Sequence, residues 1–183
     1  MAKMNVEENL ATLASCAPGR CASIRMNVEE NLATPESFQF CCDSLVTVDE
    51  LPSADRCWPD IVPCNRLIQV EQGVKFGFQW CVKGCLVDII KCTKWKIQLF
   101  FERWGCKEHC GDPEPKCVNF VAESGYLYTE YIELPPNTIP EGVYEIVGVL
   151  RLYDFRGNPL PVAGFAELGK FEFYEASAPV LRG

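Results

Sequence analysis

The chain has 183 residues, 48% of them hydrophobic and 11% aromatic, with 12 cysteines and a formal net charge of -8. This is globular composition of about one domain's length, and an acidic chain without a Lys/Arg cluster repels phosphate backbones, which argues against nucleic acid as a ligand. A domain of roughly 140 residues buries about two thirds of its unfolded surface, so the thiols exceed what folding requires and point to durability, links between chains, or metal.

The chain opens on a repeat. Nine residues, MNVEENLAT, occur at Met4–Thr12 and again at Met26–Thr34, each copy preceded by a basic residue, Lys3 or Arg25. Asn5 with Glu8, and Asn27 with Glu30, match a capping box, and Val6/Leu10 and Val28/Leu32 stand four apart, so each copy reads as a short amphipathic helical turn that Pro35 ends. Two turns are unstable alone in water and order only by packing on something. Val6, Leu10, Val28 and Leu32 are therefore candidate docking residues of an N-terminal arm, residues 1–40, followed by a cysteine-rich domain, 41–183. Two copies raise avidity through effective concentration. A tandem duplication without a role, or a start at Met26, is the plain alternative.

The first 25 residues carry Glu7 and Glu8 and lack an apolar run of signal length, and no later run reads as a membrane span. The cysteines favour an oxidising destination, so the expected location is extracellular or at a cell or spore surface without a recognisable signal peptide, the cytoplasm being the alternative.

From about residue 44 the periodicity is that of strands. Trp95, Ile97, Leu99 and Phe101 alternate with polar residues, and similar runs are Leu45–Val48, Leu67–Glu71, Val74–Val82, Leu86–Lys91, Cys117–Ala122, Tyr126–Leu134, Val143–Phe155 and Lys170–Glu175. Turn chemistry separates them, at Gln72-Gly73, Lys83-Gly84, Ser124-Gly125 and Arg156-Gly157-Asn158-Pro159 among others. The expectation is an all-β antiparallel sandwich or jelly roll of about eight or nine strands with an extended N-terminal arm. Trp58, Trp80, Trp95 and Trp104 read as core anchors, and Glu130, Glu133, Asp154 and Glu172 as solvated surface without calcium-loop spacing.

Ile139-Pro140-Glu141-Gly142-Val143-Tyr144-Glu145-Ile146-Val147-Gly148-Val149 resembles the turn and strand that carry the tyrosine corner of immunoglobulin-like and fibronectin type III-like sandwiches. The resemblance implies a fold, with Tyr144 structural, and no activity. No cysteine lies beyond Cys117 to supply the antibody-type partner two residues after the tyrosine.

Ten of the twelve cysteines fall between 41 and 117. Cys81, Cys85, Cys92 and again Cys106, Cys110, Cys117 fit Cys-x3-Cys-x6-Cys, and Cys57 with Cys64 share the longer gap. These eight are candidates for bridges within the domain; closing the loop from Cys106 to Cys117 would stabilise by roughly 3 kcal/mol. Cys106, His109, Cys110 and Cys117 could instead form a Cys3His zinc set, but they lack paired Cys-x2-Cys knuckles, so no metal or other cofactor is assigned. A Cys–His nucleophilic pair there lacks an orienting partner, and no enzyme activity is read.

Adjacent Cys41 and Cys42 point opposite ways in extended chain and can address two partners. Phe38-Gln39-Phe40-Cys41-Cys42 followed by Cys57 resembles the connector of endospore-appendage filament subunits, in which arm cysteines bridge to adjacent subunits across a jelly-roll core. That resemblance implies that Cys41, Cys42, Cys16 and Cys21 are intermolecular cross-links. The function expected is a structural, self-assembling subunit of a disulfide-stabilised filament or layer, a homo-oligomer or polymer through arm and strand-edge contacts. The alternatives are a module docked to a scaffold or shell through the tandem peptides and, third, a zinc-binding protein.

Overall fold

Strands make up nearly all the regular structure of the computed structural model, which describes residues 24–30, 36–41, 44–50, 66–105 and 111–176. In chain order they are β1 (Ile24–Arg25), β2 (Asn27–Glu30), β3 (Gln39–Phe40), β4 (Leu45–Glu50), β5 (Leu67–Gln69), β6 (Val74–Lys83), β7 (Lys94–Arg103), β8 (Lys116–Asn119), β9 (Leu127–Leu134), β10 (Gly142–Tyr153) and β11 (Pro159–Tyr174), with no helix among the described residues.

They form two sheets. In the first, β6 is central: β9 runs antiparallel along one edge from Val74↔Leu134 to Cys81↔Leu127, and β4 along the other, from Glu50↔Val74 to Leu45↔Gln79. β3 continues the β4 edge beside Val82 and Lys83, and β1 pairs the outside of β4. The second sheet runs β2-β11-β10-β7-β8, all antiparallel. Its one parallel pairing sets β5 against Glu172–Tyr174, farther along the β11 edge that β2 also uses.

Alternation makes the sandwich. Trp95, Ile97, Leu99 and Phe101 of β7, Tyr144, Ile146, Leu150 and Leu152 of β10, and Val46, Val48, Phe76, Phe78, Trp80 and Val82 of the first sheet are all buried between the layers. Trp80 stacks on its neighbour in the same sheet, Tyr128, at 4.7 Å, and rings also interlock between the sheets, where Trp80 meets Trp95 edge-on at 5.8 Å and Phe76 meets Phe101 at 5.9 Å. Such geometry adds about 0.5–1.5 kcal/mol per pair beyond area burial. At the other end of the core the Tyr144 hydroxyl donates to the Pro140 carbonyl at 3.0 Å, four residues upstream.

Three expectations change. The apolar run Leu86–Lys91 is not a strand. Gly84, at φ +125°, turns the chain, and Val87 N–H to Gly84 O and Ile90 N–H to Leu86 O close successive turns that bury Val87 and leave Ile89 exposed. The second nonapeptide is not helical over its described part: Met26 is buried and residues 27–30 form β2. Finally, the last strand begins at Pro159 rather than Lys170. A bulge at Leu168–Gly169, with Gly169 at φ +83°, reverses which parity faces inward, from Val162, Ala166 and Leu168 to Phe171 and Phe173.

Candidate assembly surface

The cysteines divide differently from their spacing. Cys41 follows β3 and lies opposite Cys81 near the end of β6; its N–H donates to the Cys81 carbonyl at 3.0 Å, the Cα atoms are 5.5 Å apart, and the two form a disulfide. Cys41, expected to bridge between chains, is thus bonded within its own. Conversely Cys85, Cys92 and Cys117, expected in bridges within the domain, are free, exposed thiols. The local backbone explains both outcomes. Cys81 faces its neighbour on the adjacent strand, whereas Gly84 diverts the chain so that Cys85 and Cys92 fall in the β6–β7 connection, and Cys117 sits on the edge strand β8.

Cys16, Cys21, Cys42, Cys57, Cys64, Cys106, His109 and Cys110 lie outside the described residues, as do Val6, Leu10, Leu32 and Trp58. Of the zinc set only Cys117 is described, and no group of three metal-ligating side chains occurs among the described residues.

Residues 24–30 and 36–40 belong to the sandwich. Ile24 and Arg25 pair with Val46 and Leu45 in one sheet; the Met26 N–H donates to Ser44 O at 2.7 Å; then β2 crosses to the other sheet, pairing Asn27↔Phe165, Val28↔Gly164, Glu29↔Ala163 and Glu30↔Val162. Val28, a docking candidate, is half-buried against this chain's own core. A Cβ added to Gly164 would meet Met26 Sδ at 3.3 Å and Val28 Cγ1 at 3.4 Å, so the missing side chain makes the seat for both.

The outer face of the second sheet carries a shallow groove bordered by Lys96, Gln98, Phe100, Val149, Arg151 and Phe165, with Phe100 40% exposed. Lys96 lies over the half-buried Tyr153 ring at 5.1 Å and Lys170 over the exposed Trp104 ring at 3.2 Å, so a cation caps each. At the β8 edge, Lys116 pairs with Glu130 at 2.8 Å and donates to Tyr131 O at 3.1 Å, and within the first sheet Lys75 of β6 pairs with Glu133 of β9 at 3.7 Å. Glu130 and Glu133 therefore have cationic partners. Asp154 is held by its loop: Oδ1 accepts from the Arg156 and Asn158 N–H groups, and bonding to Asn158 lowers its pKa. Burial raises the pKa of Tyr128 and Tyr144.

No family model matches the chain, and no curated protein does. Among solved structures, a crystal structure of chicken MD-1 complexed with lipid IVa aligns with 75% of this chain and 98% of its own, at 13% identity and a TM-score of 0.24. A likeness that slight transfers neither ligand nor role. No helix of the described residues is long and apolar enough to cross a membrane.

Proposed function

We propose that the chain is a structural subunit that self-assembles into a disulfide-stabilised filament or layer outside the cell or at a cell or spore surface. The observation that carries this reading is that, among the described residues, Cys85, Cys92 and Cys117 are exposed, free thiols on a sandwich whose core is closed by packing and by the Cys41–Cys81 bridge. Exposed thiols are accessible to a neighbouring molecule, and in oxidising surroundings they cross-link. The Cys41–Cys81 disulfide fits the same surroundings. Cys16, Cys21 and Cys42 are further cross-linking candidates. Edge strands supply the non-covalent part, since β8 and β9 each pair on one side only among the described residues and an exposed edge accepts another strand. Contacts of that heterologous kind build open chains unless they close a ring.

At the level of fold we infer an immunoglobulin/fibronectin type III-like sandwich, supported by the Tyr144–Pro140 hydrogen bond on the strand that resembles a tyrosine corner.

Native material run on non-reducing gels should give a ladder that collapses with reductant, filaments or sheets should be visible by electron microscopy, and Cys85→Ser/Cys92→Ser/Cys117→Ser should shorten the ladder. A single monomer band with and without reductant would end the reading.

A further inference from the structure

The repeat and the β2 seat belong together. Every residue that fills the seat on β11, Met26 through Glu30, lies inside the duplicated nonapeptide, and Met4 through Glu8 repeat those five residues without change. The seat itself is specific. It offers the main-chain edge of Val162–Phe165 for antiparallel pairing, and the bare Cα of Gly164 leaves room for a methionine and a valine two residues apart. The other edge of β11 is taken along its length by β10. Each chain therefore carries two copies of the sequence that fills this place.

Within one chain the second copy holds that place. Eight residues, 31–38, separate it from β3, whereas thirty, 9–38, would separate the first copy, a loop-closure handicap of roughly sevenfold. The second copy is also preceded by Ile24, which packs against the core, and the first by Ala2. A first copy that pairs in the same register has to displace a second copy, its own or that of a neighbouring molecule, which carries an identical seat.

We propose that Met4–Glu8 is a donor strand for a second copy of this chain, pairing with Val162–Phe165 of that copy and seating Met4 and Val6 over Gly164 in place of the recipient's Met26 and Val28. The exchanged and unexchanged states make the same contacts, so occupancy is set by local concentration. Within a polymer, copies held at roughly millimolar effective concentration compete with the tethered strand; in dilute solution they do not. This deepens the self-assembly reading and rests on it for the crowding that drives exchange, but the seat can be tested without thiol chemistry.

The acceptor is the full chain with Met4→Asp, Val6→Asp, Met26→Asp and Val28→Asp, which has no strand able to fill its own seat. It is mixed, in reductant, with wild-type chain or with a Met4→Asp/Val6→Asp donor whose second copy is intact, and each mixture is followed by size-exclusion chromatography with light scattering. Wild-type donor should give a 1:1 complex that the Met4→Asp/Val6→Asp donor does not. Capture by both donors, or by neither, overturns the proposal. Should the acceptor not fold alone, it is refolded with a synthetic KMNVEENLAT peptide or a scrambled one; recovery of the native near-UV signal with the repeat only supports the seat, and recovery with neither or with both overturns it. Loss of the gel ladder with capture intact would remove disulfide cross-linking while leaving strand donation standing.

Discussion

Tyr144 ties a turn to a strand through one hydroxyl. The ring is buried against Phe101 and Phe173, and the O–H reaches the Pro140 carbonyl at 3.0 Å, so a phenylalanine keeps the packing and loses the bond. Tyr144→Phe should cost about 1 kcal/mol, with a carbonyl left less well satisfied, and the loss should be measurable as a lower denaturation midpoint at unchanged m-value. Burial also raises the pKa of Tyr144 and Tyr128 above the ordinary value of 10.0. For a group whose folded pKa is the higher one, the unfolded chain ionises first; the stabilisation is complete below pH 10 and is lost as pH rises through the folded value. Thermal melts at pH 8 and above pH 10 should therefore show a clear fall, and Tyr128→Phe should reduce its steepness. Single residues such as Tyr144 were legible in sequence because the chemistry is local, a turn followed by an alternating strand. The different fates of Cys81 and Cys85 were not, because one glycine at φ +125° decides which of two nearby cysteines stays on a strand.

Among elements, the long runs β6, β7, β9 and β10 were readable nearly residue for residue, β7 and β10 by alternation with one face on the core and β6 as an almost continuously buried run. Short or interrupted elements were hidden for definite reasons. The bulge at Leu168–Gly169 reverses the parity of β11, so its first half, rich in alanine and glycine, gave no continuous period. In Met26-Asn27-Val28 a two-residue alternation lies inside a segment that also carries helix-start chemistry, and the open β11 edge decides in favour of the strand. Leu86–Ile90 is apolar enough for a strand but is spent on a turn. The Cys41–Cys81 bridge belongs to this scale as well, spanning 40 residues of separation. Cys41→Ser with Cys81→Ser should lower stability by about 4 kcal/mol on the chain-entropy account, as read from denaturant titration, and the wild type in reductant should approach the variant.

For the molecule as a whole, the fold class followed from composition and periodicity, while the contact surfaces did not. The sequence announced surplus thiols and a repeat, yet which thiols stay available depends on strand ends and connections that only the assembled sheets define. The repeat became interpretable once its second copy was seen as part of the sheet and not as a detached peptide.

The bridge between Cys41 and Cys81 also sets a route for tension. If a subunit is drawn by its N-terminal end, the pull reaches the sulfur pair and passes directly to the middle strand of the first sheet, skipping everything between the two residues. That span, which at 3.3–3.6 Å per residue would extend by roughly 130–145 Å, stays slack under load.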